Sequence, residues 1–125
     1  MKLHLETGDA RYRITAYRPG EVTVNDEVLT ESVVLTASEL VRRWPPRSIG
    51  QLDASHLQSV LEMAPEVVIL GSGARQRFPA PAVLAPLLTA GIGVEVMDTG
   101  AACRTFNILV AEGRRVAAAL LVGET

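Results

Sequence analysis

Gly71-Ser72-Gly73 follows directly on the apolar run Val67-Val68-Ile69-Leu70. A glycine turn at the end of a buried strand is where open α/β sheets let backbone N–H groups approach an anion. The spacing is not that of a nucleotide motif. A dinucleotide fingerprint needs a third glycine where Gln76 stands, and a phosphate-binding P-loop needs a Gly-Lys-Ser/Thr ending that the chain lacks. Three readings stay open: a tight turn needing two flexible residues, a cradle for a small anion, or, with the fewest matching residues, a dinucleotide site whose ribose-binding acid would be Asp98. The cradle would draw on Arg75 just beyond the turn, with Arg77 nearby, and on Thr99, Arg104, Thr105 and Asn107 in a later segment. Guanidinium forks and a helix N-terminus both suit carboxylates and phosphates. If strands 67–70 and 94–97 are neighbours, their C-terminal ends bring Gly73, Arg75, Thr99 and Arg104 together. The ligand-binding candidates are Gly71, Ser72, Gly73, Arg75, Thr99, Arg104, Thr105 and Asn107.

Other chemistries have weaker support. Cys103 near a helix start can act as a nucleophile only with a positioned base, and the histidines are His4 and His56. A small packed hydrophobe is the alternative for that cysteine. Asp53 and His56, three apart, read as a helix cap and a surface residue. Two histidines among scattered acids have no metal-ligand spacing, and no serine sits in a nucleophile elbow. No catalytic residue, metal or cofactor is assigned. Arg42-Arg43-Trp44-Pro45-Pro46-Arg47 is the other conspicuous stretch. Tryptophan and arginine are typical interface anchors, so Trp44 and Arg47 are interaction candidates, with a core-edge role as the alternative for Trp44.

Composition narrows the partners. Formal charge is −2, and the aromatic residues amount to two phenylalanines, two tyrosines and one tryptophan, which disfavours nucleic acid as a partner. The longest apolar run, residues 116–122, is far short of the roughly 18 residues of a membrane span, so an integral membrane protein is not expected. Residues 2–9 form neither an apolar signal core nor an acid-poor transit peptide. With a lone cysteine suited to reducing compartments, a cytoplasmic location is expected.

The 125 residues are expected to form one domain. Strands are expected at residues 11–17, 21–24, 28–29 and 32–36, with turns at Arg18-Pro19-Gly20 and Asn25-Asp26. From Asp53 the pattern alternates. A helix over 54–63 has Leu57, Val60, Leu61 and Ala64 on one face. An all-apolar strand over 67–70 belongs at the sheet centre. A helix within 81–90 must accommodate Pro86 as a kink or a first turn. A strand over 94–97, a helix over 99–111 and a strand over 116–122 complete a layered α/β domain. In the third helix Ala102, Phe106, Leu109 and Val110 are expected to face the core, and Cys103, Arg104 and Asn107 to lie opposite it.

These residues carry a resemblance. Ser32-Val33-Val34-Leu35, Trp44, the segment from Val68 to Gly73 and the run DTGAACRTFNILVAEGRRVAAAL from Asp98 resemble a family of small, mostly uncharacterised bacterial and archaeal proteins that also includes mitochondrial complex I assembly factor 3. The family pattern carries over at Gly71, Gly73, Asp98, Thr99, Ala102, Thr105, Phe106, Asn107 and Arg114. Ser72 replaces an expected threonine and keeps the hydroxyl. The resemblance implies a three-layer α/β fold, with a mixed five-stranded central sheet whose last strand is antiparallel and a small N-terminal β layer. It also implies that members lack an established enzymatic activity, while the mitochondrial relative helps to assemble a respiratory complex through protein contacts. The sequence does not show that relative's targeting extension, so a mitochondrial role is not expected to carry over. The reading is thus a non-enzymatic interaction or assembly factor with a protein partner, linked to respiratory complex biogenesis. The alternative is a small-molecule or anion-binding protein, with an enzyme left open, that uses the Gly71 to Gly73 loop and the helix of residues 99–107.

Overall fold

In the computed structural model, residues 10–123 are described; His4 lies outside the described residues. Strands β1 (Ile14–Arg18), β2 (Glu21–Val24) and β3 (Glu27–Leu29) form an antiparallel meander, turning at Pro19-Gly20 and Asn25-Asp26. Asn25 holds its turn with a positive φ of 55°, accepting from the Arg13 N–H and donating to the Arg11 carbonyl.

The second sheet contains β4 (Val33–Leu35), β5 (Leu40–Val41), β6 (Val67–Gly71), β7 (Gly93–Met97) and β8 (Val116–Leu120), in the order β5-β4-β8-β6-β7. β6 runs parallel to β7 and to β8, whereas β4 is antiparallel to β8 and to β5. The last strand is therefore antiparallel to one neighbour and parallel to the other, and β4 is the reversed member. β8, not β6, is central. Its sequence, Val116-Ala117-Ala118-Ala119-Leu120, is buried throughout, and the alanines let layers approach on both faces. β6 lies beside it, also wholly buried.

Period-two alternation divides this sheet between two cores. Val33, Leu35, Val67, Ile69, Ala118 and Leu120 face one, with Phe106 from α3 (Thr99–Ala111) and with Ile14, Val22 and Val24 from the meander. Val34, Val68, Leu70, Ala117 and Ala119 face the other, with Leu57 and Val60 from α1 (Ala54–Leu61) and Leu87 from α2 (Pro81–Thr89). The three layers are α1 and α2, the five-stranded sheet, and α3 with the meander.

Local chemistry accounts for the helix ends. Asp53 and His56 form a capping box: the Asp53 carboxylate accepts from the Ser55 and His56 N–H groups, while His56 Nδ1 accepts from the Asp53 N–H at 3.0 Å. α1 stops at Leu61, short of the expected 63, because Ala64 turns to φ 55° ahead of Pro65; Ala64 is exposed, not on the apolar face. α2 begins with Pro81 in its first turn and keeps Pro86 inside. β5 and a 3-10 turn at Ile49–Gln51 lie where no element is expected. Among the described residues no helix is long and apolar enough to cross a membrane.

Candidate functional site

The C-terminal ends of β6, β7 and β8 meet at Gly71, Met97 and Leu120. The Thr99 hydroxyl, fully buried, joins the chain segments leaving these strands. It accepts from the Gly73 N–H at 2.8 Å and donates to the Leu121 carbonyl at 3.0 Å. The backbone adds three bonds: Thr99 N–H to the Gly73 carbonyl (2.8 Å), Ser72 N–H to the Met97 carbonyl (2.8 Å) and Leu121 N–H to the Gly71 carbonyl (2.9 Å). Both glycines have a geometric reason. A Cβ on Gly71 would lie 2.9 Å from Thr99 Oγ1 and 3.0 Å from Thr99 Cα, and Gly73 has φ 107°. Gly71, Ser72, Gly73 and Thr99 are thus brought together as a clasp whose donors and acceptors satisfy one another.

The N-terminus of the third helix is occupied by a side chain of the protein. Asp98 caps α3, its Oδ1 accepting from the Ala101 N–H at 2.8 Å. Asn107 makes a two-way exchange with the backbone of Ile14, accepting from its N–H at 3.1 Å and donating to its carbonyl at 2.7 Å. An edge strand of the meander is thereby pinned to α3. Thr105 Oγ1 lies 3.4 Å from the Met97 sulfur. Arg104 is exposed and, with Tyr17, Cys103 and Asn107, lines a recess of about 200 Å3. The candidates therefore divide among three places, with Arg75 in a third.

Cys103 belongs to the core instead of the opposite face of α3. That helix is covered on two sides, by the sheet and by the meander, so its buried arc is wider than a single apolar stripe. Burial pushes the thiol up to about 12, with the nearby Asp98 adding to the effect against Arg104, a setting that opposes thiolate chemistry. Burial also raises the Tyr17 phenol, with Cys103 and Asp98 contributing.

Trp44 is 4% exposed and packs in the core of α1 and α2. Its Nε1–H points to the His56 carbonyl at 3.4 Å, and its ring meets the His56 ring edge-on. It is a core residue, almost wholly withdrawn from the surface. Arg47 reaches the surface, 3.9 Å from Glu31. Among the described residues no three His, Cys, Asp or Glu side chains gather in a metal-binding group.

Arg75 lies in the third place, a cleft of about 510 Å3 between the 3-10 turn and the loop after β6. Ser48, Ile49 and Gly50 form one wall, and Ser72 with residues 74–77 the other. Ser72 Oγ shapes that loop, donating to the Arg75 carbonyl (2.6 Å) or the Met97 carbonyl (3.1 Å) and accepting from the Arg77 N–H (3.0 Å). The Ser48 wall has no local signal in the sequence, because it meets residues 74–77 only through the tertiary fold.

The chain is thus a three-layer α/β protein whose strand ends are closed by this clasp. The chain belongs to the family described as protein of unknown function (DUF498/DUF598), which matches residues 14–121. It is similar to a Xanthomonas campestris protein solved by NMR, with 46% identity, coverage of 98% of this chain and 93% of that one, and a TM-score of 0.83. It is also similar to a Bordetella parapertussis protein of known crystal structure, at 43% identity over 89% of this chain and 95% of that one, with a TM-score of 0.84. A human protein named NADH dehydrogenase (ubiquinone) 1 alpha subcomplex assembly factor 3 is 44% identical over 95% of this chain. The chain spans 65% of that assembly factor's length.

Proposed function

We propose that this chain is a non-enzymatic assembly factor that binds a protein partner during biogenesis of a respiratory NADH dehydrogenase. One observation carries the reading: 44% identity to a named assembly factor across 95% of the chain. The site geometry supports it. Three of the candidate side chains are spent on structure, Thr99 and Ser72 in the clasp and Asn107 on the Ile14 backbone. The cytoplasm is the proposed location, in keeping with a single free cysteine.

The test is deletion of the gene in its native host, followed by native electrophoresis with in-gel NADH dehydrogenase staining. Loss of the full-size complex, accumulation of smaller subcomplexes and rescue by the wild-type gene are the expected result. An unchanged amount of full-size complex in the deletion strain overturns the reading.

A further inference from the structure

We propose that the cleft between the 3-10 turn and residues 74–77 binds a small molecule through a phosphate monoester group. Its lining holds two guanidinium groups, Arg75 and Arg77, and no carboxylate. Neither arginine makes an ion pair among the described residues, whereas Arg18, Arg42, Arg43, Arg47, Arg114 and Arg115 each lie beside a glutamate. The N–H groups of Ala74, Arg75 and Gln76 donate to no acceptor among the described residues, and the Ser48 side chain makes no cap bond. Ser72 Oγ donates to the Arg75 carbonyl and accepts from the Arg77 N–H, which ties the two ends of this loop segment together and lowers the cost of ordering it around a ligand.

The number of donors selects the ligand. A carboxylate has one charge and two coplanar oxygens. A phosphate monoester carries nearly two charges and three acceptor oxygens in a tetrahedral arrangement. The residues lining the cleft include two arginines, a serine and three backbone amides without an acceptor among the described residues, a stock of donors that suits a tetrahedral dianion better than two coplanar oxygens. The cleft, about 510 Å3, falls in the usual range of small-molecule sites, roughly 300–1,000 Å3, leaving room for an organic portion beside Ile49.

The test is an amide-resolved NMR titration of the full chain with inorganic phosphate, glycerol phosphate, acetate and an acidic peptide. Co-sedimentation with phosphatidylcholine vesicles, with and without phosphatidic acid, accompanies it. Saturable shifts at Ala74, Arg75 and Gln76 with both phosphate probes, and none with acetate, are expected. The double variant Arg75→Gln/Arg77→Gln should weaken binding by about tenfold or more while keeping the wild-type melting temperature. The proposal is overturned if neither phosphate probe moves these amides, if acetate or the peptide binds as tightly, or if the double variant binds unchanged. Binding seen only on phosphatidic acid vesicles overturns it as well, since it assigns the phosphate to a lipid surface.

Discussion

The loop leaving β6 puts the same backbone chemistry to opposite uses in its two halves. Gly71, Ser72 and Gly73 are buried, with the Ser72 and Gly73 amides taken by Met97 and Thr99. Residues 74–77 are exposed, and the amides of Ala74, Arg75 and Gln76 have no acceptor among the described residues. The difference lies in what stands opposite. The first half faces Thr99 at the exit of a parallel neighbour strand, and the second faces a 3-10 turn across a cleft. A glycine pattern at a strand end thus marks a close backbone approach, and the facing residue decides whether the protein itself takes up the amides or leaves them without an acceptor.

Breaking the closed half should have the largest effect. Gly71→Val places atoms against Thr99 Oγ1 and Cα and against the Leu120 side chain, so urea unfolding should register a loss of about 3 kcal/mol. A loss below about 1 kcal/mol would mean that the clasp yields easily. Thr99→Val keeps the volume but strands the Gly73 N–H and the Leu121 carbonyl, which should cost about 2 kcal/mol. Thr99→Ser retains the hydroxyl and should lose less.

Cys103 gives the closed side a pH signature. Its thiol pKa is raised in the folded chain, from 9.0 to about 12, so the folded state holds its proton where the unfolded state releases it. Its contribution is fully present below pH 9 and is lost as pH rises from there toward 12, at up to about 1.4 kcal/mol per pH unit. Denaturation midpoints from pH 7 to pH 11 should show the decline in wild type and a shallower one in Cys103→Ala. The Tyr17 phenol, also raised, leaves a residual slope beginning above pH 10 in that variant. The open half should matter least to folding. Arg75→Gln and Arg77→Gln should each stay within about 0.5 kcal/mol of wild type by the same unfolding measurement.

Much of the architecture was legible because its signals are local. The run Val67-Val68-Ile69-Leu70 marks a buried strand, and α3 spans the expected 99–111 because Asp98 caps it and Gly113 follows its end. β5 was not legible, since two residues become a strand only by pairing with β4 across Val34–Val41 and Leu35–Leu40. The face of α3 was misread at Cys103 because periodicity reveals an apolar stripe but not a second layer over the same helix. The site was legible as a place and not as an arrangement. Gly71 and Gly73 announce a close approach, yet the Thr99 hydroxyl that takes the Gly73 amide lies 26 residues away. The Ser48 wall of the cleft depends wholly on the packed fold.

Native-state amide hydrogen exchange tests this division most directly. The Ser72 and Gly73 amides should exchange only through large-scale unfolding, while those of Ala74, Arg75 and Gln76 should exchange at rates near those of an exposed chain. Rapid exchange at Gly73, or strong protection at Ala74 to Gln76 in the ligand-free protein, would contradict the account of a closed clasp continuous with an open set of donors.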